Sequence, residues 1–193
     1  LTILRIMSAK ENILSAIRAN KPAAKTLPVL PAYTGDAEEL LATFTEVLEN
    51  SKAKVIPRDT LAAYVQTHFS DVKTIASTVA EVKGTLDLEN IQDPLELASV
   101  DLAIITGRLG VAENGAIWVT EAEAVVRVLP FITQHLIIVM EGPLVPTMHE
   151  AYPLAKVGES GFGVFIAGPS KTADIEQSLV IGAHGPRSLV VVV

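Results

Sequence analysis

The chain has 193 residues, of which 49% are hydrophobic and none is cysteine. Its net charge of −7 argues against binding to nucleic acid or to an anionic membrane surface, and no apolar run approaches the roughly 20 residues of a bilayer span. Without cysteine, this chain forms no disulfide and holds no cysteine-ligated zinc or iron–sulfur cluster. This composition fits a reducing compartment, so we expect a cytoplasmic localisation.

A short helix and a proline-rich linker are predicted at the start of the chain. Ser8 and Glu11 have the spacing of a capping box, and apolar residues at helical spacing follow them. Closely spaced prolines then prevent a continuous helix. We therefore expect residues 1–35 to form an N-terminal helix and linker, and residues 36–193 to form one α/β domain. Because the helix start directly follows Met7, we also expect the native protein to begin there.

The remaining chain alternates between strand and helix patterns. Short runs rich in Val and Ile predict strands at residues 53–56, 72–77, 101–106, 116–120, 135–140, 162–167 and 188–193. Helical patterns begin at residue 36 and at Pro94, and cover residues 58–68, 145–156 and 172–181. This alternation indicates parallel strand pairing, so we predict a three-layer α/β/α fold with a mostly parallel sheet.

A turn between a predicted strand and a predicted helix is the first candidate binding site. Gly168 starts the turn, Ser170 and Thr172 offer hydroxyl groups, and Lys171 adds a positive charge. Free amides and the positive dipole end of a helix N-terminus favour a bound anion, here a carboxylate or a phosphate. The alternative is purely structural: Ser170 or Thr172 caps the helix, and Asp174 complements its dipole.

Glu113 is the second candidate. It precedes Asn114 and Gly115, a pair typical of a two-residue hairpin turn, so its carboxylate would be presented at the end of a sheet. A carboxylate at that place can act as a base, a nucleophile or a hydrogen-bond acceptor. The alternative is a solvent-exposed charge beside a turn.

His184 and Arg187 form the third candidate. Gly182 is placed as the residue that ends the predicted helix, so His184 would lie where the helix C-terminus favours its protonated form. A histidine there can exchange protons near neutral pH, and Arg187 adds a cation for an anionic ligand. The alternative is that His184 only satisfies the last carbonyl groups of the helix.

Four stretches occur in an order that resembles the LUD domain family, and within it the lactate-utilization protein C (LutC/YkgG) group. They are VAENGAIWV at 111–119, Arg127 with Leu129-Pro130, GPSKTADIE at 168–176, and LVIGAHGPR at 179–187. The resemblance covers about residues 101–193. The family usually has Thr at the position of Asn114, and no family role is carried over to His135.

The resemblance implies a fold similar to the NagB/RpiA/CoA-transferase group. It also implies a part in oxidising L-lactate to pyruvate, together with partner subunits that carry iron–sulfur clusters. No cofactor is assigned to this chain itself, and a small carboxylate is the expected ligand. In this interpretation Glu113, Ser170 and His184 line one pocket at the carboxyl edge of the sheet.

Two other interpretations stay open. The chain can be a non-catalytic module that docks onto the iron–sulfur subunits, with the helix at residues 8–20 as the docking arm. Alternatively, it is a free-standing transferase or ligase of the same fold group that acts on a CoA thioester or a nucleotide, with Glu113 as the covalent carboxylate. Similarity of fold does not decide among these functions.

Overall fold

The computed structural model describes residues 8–29, 31, 34–159, 161–175 and 178–193. Within residues 173–175 and 178–179 it describes the backbone alone. The expected start at Met7 lies outside the described residues. The chain divides into two compact units, Leu1–Pro31 and Ala32–Val193.

The described part of the first unit contains one helix, α1 (Ala9–Ala19). It begins with the predicted capping box: the Glu11 amide donates to Ser8 Oγ at 3.3 Å, and the Ser8 amide donates to Glu11 Oε2 at 2.8 Å. No residue of α1 is buried.

The second unit contains five helices and eleven strands in its described residues. The helices are α2 (Leu40–Asn50), α3 (Leu61–His68), α4 (Glu121–Ala124), α5 (Leu129–Ile132) and α6 (Met148–Ala155). The strands are β1 (Lys54–Ile56), β2 (Ile75–Ser77), β3 (Leu102–Gly107), β4 (Leu109–Val111), β5 (Ala116–Thr120), β6 (His135–Met140), β7 (Leu144–Val145), β8 (Gly163–Ile166), β9 (Lys171–Ile175), β10 (Ser178–Ile181) and β11 (Ser188–Val192). Three 3₁₀ turns lie at Arg58–Thr60, Leu88–Asn90 and Pro94–Ser99.

The central sheet has the strand order β1-β11-β6-β3-β2, and every neighbouring pair is parallel. Its three middle strands are in register at their amino ends, where Leu102, His135 and Ser188 are partners across the sheet. Their interiors are continuous runs of buried aliphatic residues, as a sheet covered on both faces requires. The predicted α/β fold with a mostly parallel sheet is confirmed.

The two faces of this sheet are covered differently. On one face, Leu61 and Val65 of α3 pack against a cluster that includes Ile104 and Ile137. On the other face the cover includes α2, the short helices α4 and α5, and a second sheet whose Ile117 belongs to the same buried cluster. The prediction of helical layers is therefore incomplete, because a sheet supplies part of one layer.

The second sheet has the order β7-β4-β5-β8. Its strands β4 and β5 form an antiparallel hairpin joined by residues 112–115, a loop of four residues rather than the expected two. The loop closes because the Gly115 amide donates to the Val111 carbonyl at 2.9 Å and Asn114 Oδ1 accepts from the Ala116 amide at 3.0 Å. Gly115 has φ +67°, which suits glycine.

The predicted helix at residues 172–181 is wrong. The chain instead forms an antiparallel ribbon, in which Lys171 pairs with Ile181 and Thr172 pairs with Val180. The Gly182 amide donates to the Ser170 carbonyl at 2.9 Å and so closes the open end of the ribbon. Consequently there is no helix N-terminus at Thr172, and Gly182 does not end a helix. Residues 176–177 and the side chain of Asp174 lie outside the described part.

Candidate functional site

The two predicted binding motifs meet in the structure. The Ser170 amide donates to the Pro186 carbonyl at 2.9 Å, which fastens the turn after β8 to the segment before β11. The contact is close: a Cβ added at Gly185 would lie 3.1 Å from Ser170 Cβ. Gly185 therefore permits the two segments to approach each other, because any larger residue would push Ser170 away.

The two motifs line one cavity of about 270 Å³, which we call the motif cavity. Its polar lining includes Ser170, Lys171 and His184. Its apolar lining includes Phe131, Leu136, Val164, Phe165 and Leu189. Since Leu136 and Leu189 directly follow the first residues of β6 and β11, the cavity lies near the amino ends of these strands. The expectation of a site at the carboxyl edge of the sheet is wrong.

The mode of anion binding expected from the sequence also changes. The Ser170 amide is already bonded to the Pro186 carbonyl, and the ribbon replaces the helix whose amides were to receive the anion. Thr172 does not line the motif cavity, whereas Gly168 does. Among the described residues that line the motif cavity, the polar side chains are those of Ser170, Lys171 and His184.

The motif cavity has one lysine in its lining, Lys171. No carboxylate of the described side chains lines it. A second cavity of about 540 Å³ beside α6 contains Arg108 and Lys156. There, however, Arg108 Nε lies 3.3 Å from Glu123 Oε1, and Lys156 Nζ lies 3.4 Å from Glu159 Oε2. Both cations therefore already have carboxylate partners.

Glu113 is not part of the motif cavity. It lines a separate cavity of about 560 Å³ whose other charged residues are Asp36, Glu38 and Glu39. Its Oε1 accepts from the backbone amide of Met148, the first residue of α6, at 2.7 Å. The expected convergence of Glu113 with Ser170 and His184 is therefore wrong, and the observed bond gives Glu113 a capping role.

Arg187 also lies outside the motif cavity. It lines a cavity of about 340 Å³ at the amino ends of β3 and β6, together with His135 and Asp101. The His135 Nδ1 and Ser188 Oγ are 2.8 Å apart and form a hydrogen bond. We call this the amino-edge cavity. The sequence interpretation gave His135 no role, although the sequence did place it as the first residue of a predicted strand; its register with Ser188 is visible only in the structure.

The charges around His135 have opposite effects on its pKa. Burial is the main cause that lowers the pKa of His135, the positive charge of Arg187 lowers it further, and the Asp101 carboxylate raises it. The backbone amides of Thr74 and Lys73 donate to Asp101 Oδ2 at 3.0 and 2.9 Å, and these bonds lower the pKa of Asp101. The folded protein thus favours a neutral His135 beside an ionised Asp101.

Two kinds of feature are missing from the described residues: a cluster of metal ligands and a membrane-spanning helix. No group of three or more His, Asp or Glu side chains there is arranged to hold a metal ion. None of the helices described is both long and apolar enough to cross a bilayer.

Comparison with known proteins identifies the family. A family model described as the LUD domain matches residues 23–193. A lactate utilization protein C from Exiguobacterium sp. is 30% identical over 174 residues, which cover 77% of this chain and 75% of that protein. One from Deinococcus radiodurans is 30% identical over 170 residues, which cover 84% and 72%. One from Bacillus pumilus is 39% identical over 82 residues, which cover 39% and 34%.

The chain therefore belongs to the LUD domain family. Within this family it is similar to lactate utilization protein C, so the resemblance seen in the sequence motifs is confirmed. The crystal structure of a DUF162 family protein from Deinococcus radiodurans has the same fold. That structure gives a TM-score of 0.60 at 20% identity, covering 80% of this chain and 95% of that one.

Proposed function

We infer that this chain is a subunit of a lactate-oxidising system of the lactate utilization protein C type. The reaction would convert L-lactate to pyruvate, with two electrons and two protons leaving the substrate. Because this chain has no cysteine, iron–sulfur clusters that receive the electrons would belong to partner subunits. The names of its relatives and the chemistry of the motif cavity support this proposal.

The observation that carries the proposal is the meeting of the two family motifs around one cavity that no carboxylate of the described side chains lines. In this proposal the Lys171 ammonium binds the substrate carboxylate, and the Ser170 hydroxyl donates a hydrogen bond to it. His184 lies in the same lining, where its ring can form a hydrogen bond with the substrate hydroxyl group and orient it. The neighbouring apolar side chains form the rest of the lining.

Isothermal titration calorimetry with L-lactate and pyruvate tests this site. Lys171 is exposed, so its pairing with a carboxylate contributes up to about 1 kcal/mol, and Lys171→Met should weaken binding about fivefold. Ser170→Ala should have a similar effect, because it removes one hydrogen bond. Lys83→Met is the matched control, since Lys83 is also exposed and lies outside the cavity.

The titration has two results that would reject the proposed site. In the first, the wild-type chain binds neither acid. In the second, Lys171→Met and Lys83→Met weaken binding equally, which would mean that only the loss of overall positive charge matters.

A second candidate function is docking, and one observation favours it. The apolar stripe of α1 is open to solvent, with Ile13, Leu14 and Ile17 exposed to 60%, 39% and 62%. A helix of 11 residues is marginal in water unless its apolar face is covered. This candidate assigns α1 to the binding of an iron–sulfur partner subunit. No comparable observation favours the transferase or ligase alternative, because the Glu113 carboxylate on which it depended is bonded to the Met148 amide.

A further inference from the structure

We propose that the motif cavity binds 2-hydroxy monocarboxylates with chains of five or six carbons more tightly than it binds lactate. This inference rests on the proposed function, because it takes the same cavity as the acid-binding site. It adds the substrate class: short aliphatic 2-hydroxy acids, selected by the apolar lining.

The size of the cavity is the first argument. The motif cavity measures about 270 Å³, and one water molecule occupies about 30 Å³ of liquid. The cavity therefore has room for about nine atoms other than hydrogen by this measure. Lactate has six such atoms, three carbons and three oxygens. About three further methylene groups then fit before the cavity is full.

The chemistry of the lining is the second argument. The cavity contains Phe131, Leu136, Val164, Phe165 and Leu189, and none of these side chains offers a polar atom to a ligand. Phe131 is 39% exposed and Val164 and Phe165 are half-buried, so these three side chains supply apolar surface that a ligand can reach, whereas Leu136 and Leu189 are each 1% exposed and belong to the buried cluster of the central sheet. An acid as short as lactate leaves part of this lining in contact with water, whereas a longer chain covers it.

The position of Phe131 is the third argument. It is 39% exposed, so its ring is accessible at the cavity. Its backbone oxygen lies 3.8 Å from the position that a Cβ would take at Gly185, and Gly185 in turn contacts Ser170. The Phe131 backbone therefore lies near the Ser170 segment, and the Phe131 side chain belongs to the lining of the same cavity.

The same lining disfavours a second charge. A dicarboxylate of equal length would place an ionised group against side chains that offer it no hydrogen bond, and such burial of a charge is costly. Lys171 cannot pair with both ends at once. The cavity should therefore select monocarboxylates over dicarboxylates.

The test is a titration series by calorimetry with 2-hydroxy acids of three to eight carbons. The affinity should rise by up to about fourfold for each methylene group, the value for full burial, up to six carbons and then level off. The five-carbon dicarboxylate 2-hydroxyglutarate should bind at least tenfold more weakly than 2-hydroxyvalerate. The competing results are a flat series, or tighter binding of 2-hydroxyglutarate, and either would overturn the inference.

A variant at the cavity wall makes the test specific. Phe131→Ala should reduce the gain in affinity from the three-carbon to the six-carbon acid about fourfold, the effect of one lost methylene contact. Leu95→Ala is the control, because Leu95 is 72% exposed and does not line the cavity. If Phe131→Ala retains the full gain with chain length, the assignment of Phe131 to the apolar lining that the acid contacts is wrong.

Failure of this inference can be told from failure of the proposed function. A flat series that still loses fivefold on Lys171→Met would reject the chain-length selectivity and leave the lactate site in place. If no acid of any length binds, the proposed site fails and this inference fails with it.

Discussion

Replacing Glu113 distinguishes a capping role from a catalytic one. The Glu113 Oε1 accepts from the Met148 amide at 2.7 Å, and this amide would otherwise have no partner in the first turn of α6. Glu113→Gln keeps an acceptor oxygen and removes the charge. Glu113→Ala removes both, so the two variants separate the hydrogen bond from the charge.

The expected magnitudes follow from the position of this bond. Loss of a helix-capping acceptor costs about 0.5–2 kcal/mol, and loss of a negative charge at a helix N-terminus costs about 0.3–1 kcal/mol. Because the bond is exposed, we expect about 1–2 kcal/mol for Glu113→Ala and less than about 1 kcal/mol for Glu113→Gln. In a domain of this size each kcal/mol lowers the Tm by about 2–4 °C.

Thermal unfolding and lactate titration on the same samples provide the assay. The Tm should fall in the order wild type, Glu113→Gln, Glu113→Ala, and the Kd for L-lactate should stay within about twofold, since Glu113 lies in a different cavity from Lys171. Glu46→Gln, an exposed charge on α2, is the control for net charge. The reasoning is refuted if Glu113→Gln unfolds like the wild type but loses lactate binding.

Two further predictions concern other parts of the chain. Because the pKa of His135 is lowered in the folded state, the unfolded chain takes up that proton first as the pH falls below about 6.5, so stability should decline there. Urea unfolding should show this decline in the wild type and in Ser188→Ala, since burial is the main cause, and not in His135→Asn. If α1 is a docking arm, deleting residues 8–20 or introducing Ile17→Asp should release co-expressed iron–sulfur subunits during purification. Ser15→Asp, which adds the same charge beside the stripe, should retain them.

The parts of the fold that local signals decide could be predicted from the sequence. A continuous apolar run such as that of β6 has side chains on both faces of the strand that need burial, so it is typical of a central strand between two covering layers. This prediction requires no knowledge of the neighbouring strands. The capping box of Ser8 and Glu11 is equally local, because both of its bonds form within one turn.

The ribbon of β9 and β10 could not be predicted in this way. The residue pattern of 172–181 is also compatible with a helix, and Gly182 resembles the glycine that commonly follows the last residue of a helix. What decides for strands is pairing across the ribbon, such as Thr172 with Val180, and the bond of the Ser170 carbonyl to Gly182. These contacts form only when the two segments pair in the folded chain. They therefore cannot be predicted from the strand propensity of either segment alone.

The candidate site could likewise be predicted from the sequence only in part. Both motifs were found from the sequence, because their glycines and polar residues are concentrated in short segments. The sequence predicted that the two motifs meet, but it did not predict that they meet near the amino end of β11. The fold of the whole domain brings that end beside the turn after β8. Glu113 was misplaced for the opposite reason: its turn was recognised, whereas its partner Met148 is 35 residues away.

The absence of a helix N-terminus changes how an anion would be held in the motif cavity. The anion would depend on one exposed ammonium, that of Lys171, in a chain of net charge −7. An exposed ion pair contributes no more than about 1 kcal/mol and is weakened further by salt. Three methylene groups placed against the apolar lining contribute up to about 2.4 kcal/mol, at about 0.8 kcal/mol for each one fully buried. The larger share of the binding free energy would therefore come from the chain of the acid, and that share would persist at high ionic strength.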